Sequence, residues 1–278
     1  MKPSHAHRIF QARLQPGFTL AELAIVLVIV ALLLGGLLMP LTMQTDLRRI
    51  ADTRKTMDEI KDALIGFAIA NGRLPCPADP AIANGSGNAG VERAGGCANA
   101  TTQVGVIPWV TLNVPETDQW GRRFKYRVTF QFADAVGTTP TLGSESPACI
   151  PTITPTQSSF ALCAWGDMKV QNRDPASKLA YDMTNLRLPA VFLSAGKNGY
   201  GAYTSSGTVY APVPAGNADE TTNAIAATVA FVSRDKTDVS APCSDSAGTT
   251  PMCEFDDLVA WVPLTPLMNR MAASGRLP

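Results

Sequence analysis

Residues 23–39 carry no charged or polar side chain, and Pro40 closes the run. Its only soft points are Gly35 and Gly36. Glu22 stands at its head with no basic residue within four positions on either side. A helix over residues 18–41 would rise about 36 Å, enough to cross a hydrocarbon core of about 30 Å. The run therefore predicts a transmembrane helix. Before it, residues 1–17 hold Lys2, Arg8 and Arg13 and no acid, which predicts the rest of the chain on the far side of the membrane. A cleaved secretory signal fits less well, because the run exceeds a usual signal core and Pro40-Leu41-Thr42-Met43 is not a small-residue cleavage site.

The period then changes. Met43, Leu47, Ile50, Met57, Ile60, Leu64 and Phe67 recur at helical spacing, with charged residues between them, so residues 42–72 form an amphipathic continuation of the helix. Asn71-Gly72 ends it, and Pro75 and Pro77 forbid its return. Residues 84–100 form a Gly/Ala/Asn-rich loop. After the Asp118-Gln119-Trp120-Gly121 turn, residues 124–132 alternate and predict a strand with Lys125 and Arg127 on a solvated face. Further strands are predicted at 160–165, 168–170, 190–194, 228–233 and 258–262, an extended piece at 208–213, and a single helical turn at 267–273. A glycine turn follows residue 194. The expected fold class is α+β: a long N-terminal helix, transmembrane in its first half and amphipathic in its second, packed on a small antiparallel-sheet head with disulfide-stapled loops. The expected domains are a basic leader at 1–17, the transmembrane helix at 18–41, its amphipathic half at 42–72 and an α+β head at 73–278.

Composition narrows the function. Lysine plus arginine and aspartate plus glutamate are 23 each; without the leader's three basic residues the side chains sum to −3. That argues against a nucleic-acid partner. Both histidines, His5 and His7, lie in the leader, which disfavours His-dependent hydrolases and His-ligated zinc, so a non-enzyme is expected. The six cysteines form no C-x-x-C pair and read as disulfides of an oxidising compartment. Of 15 connectivities, sequential pairing (Cys76–Cys97, Cys149–Cys163, Cys243–Cys253) closes three short loops, each worth about 2–4 kcal/mol.

Gly17-Phe18-Thr19-Leu20-Ala21-Glu22, between a basic leader and an apolar run, resembles the prepilin processing signal of type IV pilins and type II secretion pseudopilins. The resemblance implies cleavage after Gly17 by a prepilin peptidase and N-methylation of Phe18. It also implies an assembly role for Glu22, paired with the terminal amine of a neighbouring subunit. Other pilin or pseudopilin subunits and an inner-membrane assembly platform are the implied partners. The implied location is the bacterial inner membrane, single-pass with a periplasmic head, and then a filament. On this view the chain is a structural subunit of a type II secretion pseudopilus or type IV pilus. The alternative is a membrane-anchored periplasmic or surface ligand-binding protein, or adhesin, that uses the prepilin export route.

The head carries looser likenesses to the major pseudopilin: Asp118-x-Trp120-Gly121 before an aromatic strand, Ser194-Ala195-Gly196-Lys197-Asn198-Gly199, and the segment from Phe255 through Asp256 and Asp257 to Trp261. That family holds calcium in the loop between the last two. Calcium takes six to eight oxygens, and Asp256, Asp257, Asn198, Asp219 and Glu220 could supply them. In the competing reading the Cys243–Cys253 cystine replaces the metal and the acids are solvated. Ser194-x-x-Lys197 matches a Ser/Lys nucleophile pattern only in spacing, and no Lys-Thr-Gly follows.

Overall fold

A computed structural model describes residues 17, 19–136, 156–184, 187–224, 229–239, 242–246 and 248–277, with 33–42 described through the backbone alone. The chain divides into two units, Met1–Arg48 and Arg49–Pro278. Helix α1, Leu20–Asn71, is 52 residues long. Thr19 opens it with a capping box: its N–H and hydroxyl donate to Glu22 Oε2 at 2.8 and 2.9 Å, and the Glu22 N–H donates to Thr19 Oγ1 at 3.2 Å.

The expected membrane crossing is corrected here. Among the described residues, no helix is long and apolar enough to cross a membrane. Over residues 46–62 charged residues recur every turn. The transmembrane half of the fold, the membrane-anchored state and the single-pass inner-membrane location are therefore not supported.

In the second unit, α1 places Met57, Ile60, Leu64 and Ala68 in the main core. They share it with one face of a four-stranded antiparallel sheet: β1 (Val104–Val106), β2 (Lys125–Val128), β5 (Ala190–Ser194) and β7 (Leu258–Val262), in that order. Tyr126 pairs with Phe192, and Phe192 with Ala260. On β5, Ala190 and Phe192 enter this core while Val191 and Leu193 enter a second one with Met168, Val170 and Phe231. Successive side chains point to opposite faces, so a strand buried on both sides reads as an unbroken apolar run.

The second core lies under a three-stranded sheet of β4 (Ala180–Asp182), β3 (Lys169–Arg173) and β6 (Ala230–Val232). The head is thus not purely antiparallel: β3 and β6 run parallel. Because the first sheet is covered on both faces, Lys125 and Arg127 are not on a solvated face either. Arg127 is buried and pairs with Asp167 at 2.9 Å.

The strand expected over 124–132 ends at Val128. Thr129 is held by Asp167 through its hydroxyl at 2.6 Å and by the Pro189 carbonyl through its N–H at 2.9 Å. The chain then turns into α3 (Phe130–Ala133), which seats Phe132 in the core. A one-turn helix, α2, occupies Trp109–Leu112. Residues 160–165 are bend and turn, not strand, and Phe160 stacks on Phe132 with ring centres 4.6 Å apart. Five elements lie outside those predicted from the sequence: β1, β4 and the short helices α2, α3 and α4 (Ala218–Ala224). The C-terminal helix α5 runs over Leu264–Ala273 and buries Leu267, Met268 and Met271.

Cys76–Cys97 and Cys243–Cys253 are disulfides, with Cα separations of 5.7 and 4.9 Å. Cys163 is disulfide-bonded as well. The expected Cys149–Cys163 pairing falls on Cys149, outside the described residues.

Candidate cation site

Two chain segments far apart in sequence deliver the acids, and a third, the glycine turn after β5, folds against them. β5 runs into the glycine turn, where Gly196 and Gly199 adopt φ of 55° and 68°. At Gly196 a Cβ would stand 2.4 Å from Asp256 Oδ1, so only glycine lets the turn fold against the residues entering β7. Asp256 Oδ2 accepts the N–H groups of Lys197 and Asn198 at 2.9 and 3.0 Å. Asn217 caps α4: its Oδ1 accepts the Glu220 N–H at 3.2 Å. Glu220 Oε1 then accepts Asn198 Nδ2 at 2.7 Å and the Asp256 N–H at 3.2 Å. Asn223, one turn on, donates to Asp257 Oδ2 at 2.7 Å and to the Val232 carbonyl at 2.9 Å.

One oxygen of each acid is thereby satisfied, and the other is not. Glu220 Oε2, Asp256 Oδ1 and Asp257 Oδ1 are buried and accept no hydrogen bond. Carboxylate oxygens of the three residues lie within 4.8 Å of one another. Glu220 is 1 % exposed and Asp257 7 %. Burial raises all three acids. Asp256 reaches about 6, its backbone donors only partly opposing the shift. Glu220 is raised by burial and then by the charge of Asp257; Asp257 by burial and then by Asp256, against the hydrogen bond from Asn223. Buried carboxylates in this state need protons or a cation. An all-oxygen set suits a hard divalent ion such as calcium or magnesium. The triad could therefore coordinate a metal ion, with Glu220, Asp256 and Asp257 supplying carboxylate oxygens.

Of the expected ligands, Asp256, Asp257 and Glu220 come together, and the Asn198 side chain touches the cluster through Glu220. Asp219 does not join it. It is fully buried and held by Arg173 Nη2 at 2.6 Å and Arg234 Nε at 2.7 Å. The reading of these acids as solvated is also overturned, since burial is what shifts them. Asn217, the N-cap three residues before Glu220, was a sequence signal for α4. Nothing local in the sequence marks Asn223 or the two arginines.

Asp118, in the turn before β2, accepts the N–H groups of Trp120 and Arg122 at 2.9 and 3.0 Å through Oδ1, and the Ser194 hydroxyl at 2.5 Å through Oδ2. The first two segments of the pseudopilin likeness therefore meet at one hydrogen bond, and Ser194 ties the Asp118 turn to the end of β5. At the other end of the chain, Gly17 is exposed, Phe18 lies outside the described residues, and Glu22 is exposed within its capping box.

Residues 12–38 match the family described as the prokaryotic N-terminal methylation motif. No curated protein and no solved structure matches the chain. The motif covers the start of the chain alone, so the chain carries a prepilin-type N-terminal motif, consistent with processing by a prepilin peptidase, ahead of a compact disulfide-bonded α+β domain.

Proposed function

We propose that this chain enters the prepilin route, is cut after Gly17 and methylated at Phe18, and delivers a ligand-binding domain to an oxidising compartment. In that domain calcium bridges the glycine turn, α4 and the start of β7 through Asp256, Glu220 and Asp257, and so fixes the loops around them. The ion's role is structural, as charge neutraliser and tie, and no catalysis is invoked. The observation that supports the route is the motif at residues 12–38; three orphaned carboxylate oxygens support the ion.

Intact-mass spectrometry of the protein purified from its host tests the route. A chain beginning at N-methylated Phe18 is expected. A chain still beginning at Met1 would contradict it.

A second reading, assembly into a pseudopilus or pilus, draws on a different observation. Leu23, Ile25, Val26, Leu27, Val28 and Ile29 are all more than half exposed in the chain by itself. Packing against the same helix in other copies would cover them, with Glu22 passing from Thr19 to a neighbour's terminal amine. Under that reading Glu22→Ala abolishes incorporation into filaments, seen in sheared-fraction immunoblots, while the head stays folded; normal incorporation would sink it.

A further inference from the structure

The sequence holds three Asn-Gly pairs, at residues 71–72, 84–85 and 198–199. A glycine after asparagine leaves the next backbone nitrogen unshielded, so each pair can close a five-membered ring in which that nitrogen attacks the carboxamide. The fold treats the three differently. The Gly72 N–H continues α1 by donating to the Ala68 carbonyl at 2.8 Å, and Gly72 is buried. The Gly199 N–H donates to the Ala195 carbonyl at 2.9 Å, while the Asn198 carboxamide is held by Glu220 at 2.7 Å and by the Tyr200 N–H at 3.1 Å. Both nitrogens are committed to a carbonyl of the preceding turn.

Asn84-Gly85 is built otherwise. Both residues are exposed, at the centre of a turn closed by the Ser86 N–H on the Ala83 carbonyl at 3.2 Å. Gly85 takes φ of 86°, the left-handed value that the third residue of such a turn needs, and a Cβ there would meet nothing within 4 Å. Its N–H donates to Oδ1 of Asn84 itself at 2.8 Å, which holds the nitrogen against the carboxamide it would attack. Asn84 Nδ2 donates to Glu116 Oε2 at 2.6 Å, and the Asn84 N–H donates to the Ser205 carbonyl at 2.8 Å. Side chain and backbone of Asn84 are thus both anchored, while the reacting pair stays open to water.

We propose that Asn84 is a modification site, at which the folded chain converts asparagine to aspartate and isoaspartate through a succinimide. Hydroxide takes the Gly85 amide proton, and a turn about the Cβ–Cγ bond of Asn84 presents Cγ to the nitrogen. The N–Cγ bond forms as the C=O π pair moves to Oδ1. That pair returns as the Cγ–Nδ2 bond breaks, and ammonia leaves with a proton from water. Water then opens the ring at either carbonyl, which gives aspartate or an isoaspartyl link. Nothing is oxidised or reduced. The product sets a carboxylate where Glu116, the partner of Arg123 at 2.9 Å, had a donor.

The test is incubation of the full chain at mildly alkaline pH, followed by peptide mapping that separates the amide, aspartyl and isoaspartyl forms. Conversion at Asn84 is expected at least about ten-fold faster than at Asn71 and Asn198, since only there is the attacking nitrogen placed against its target. In urea with a reductant the three rates should converge. Conversion at Asn84 no faster than at the other two in the folded chain would overturn the proposal. So would a preference for Asn84 that survives unfolding, because the local sequence and not the fold would then set it.

Discussion

Asp219 and Glu220 are neighbours on α4, and both are buried, yet their carboxylates sit in opposite settings. Asp219 is gripped by two guanidiniums, and Asp245 extends the network by accepting from Arg234 at 3.2 Å and from the Cys253 N–H at 2.9 Å. Glu220 points instead at two other acids and leaves one oxygen with no donor. The first arrangement is complete within the chain and ties α4 to β3 and to the Cys243–Cys253 loop. The second is balanced only by protons or by something from outside. Burial alone does not mark a binding site; burial without internal compensation does.

Removing the compensated acid should therefore do the most damage. Asp219→Ala strands Arg173 and Arg234, and a loss of about 3–5 kcal/mol is expected in urea unfolding. The uncompensated side should answer differently. Without a divalent ion, Glu220→Gln is expected to leave stability unchanged or raised, since a neutral amide replaces a buried carboxyl whose ionised form has no counter-charge. With calcium at about 100 times its dissociation constant, the wild type should gain about 2.7 kcal/mol and the Asp257→Asn variant little or nothing. Urea melts with chelator and with calcium check both.

A gentler effect is spread over pH. The three cluster acids are raised in the folded state, so the fold holds more protons than the unfolded chain above about pH 4, where free carboxyls titrate. Stability of the calcium-free protein should fall as pH rises from there through about 6, the value for Asp256, and beyond it for the other two. Lys125 acts with the opposite sign, but only above about 7. Calcium should flatten the decline; thermal melts at stepped pH, with and without the ion, would show it. The smallest change is expected at the exposed Asp58–Lys61 pair on α1, where Asp58→Ala should cost less than about 0.5 kcal/mol in the same urea assay.

The sequence discloses these two settings unequally. The strand at 190–194 is legible because a buried strand is an apolar run, and the half-buried one at 258–262 because its residues pack apolar side chains on both cores. The end of α1 is legible because Gly72, at φ 73°, follows Asn71. Asp256 and Asp257 are visible as candidates from a resemblance. What separates Asp219 from Glu220 is not legible, because it depends on Arg173 and Arg234, which reach α4 only once β3 and β6 have paired. The same cause misplaces Lys125: alternation with polar residues reads as one wet face until a second sheet covers it. Glu22 misleads in another way. Thr19-Leu20-Ala21-Glu22 is itself a capping-box pattern, so a local partner was readable beside the distant one.

Calorimetric titration of the chelator-treated full chain with calcium near pH 6.5 tests the central claim most directly. Saturable binding at about one ion per chain is predicted, with heat that changes with buffer because calcium displaces protons held by the raised carboxyls. A folded protein that takes up no calcium at millimolar concentration would contradict the account.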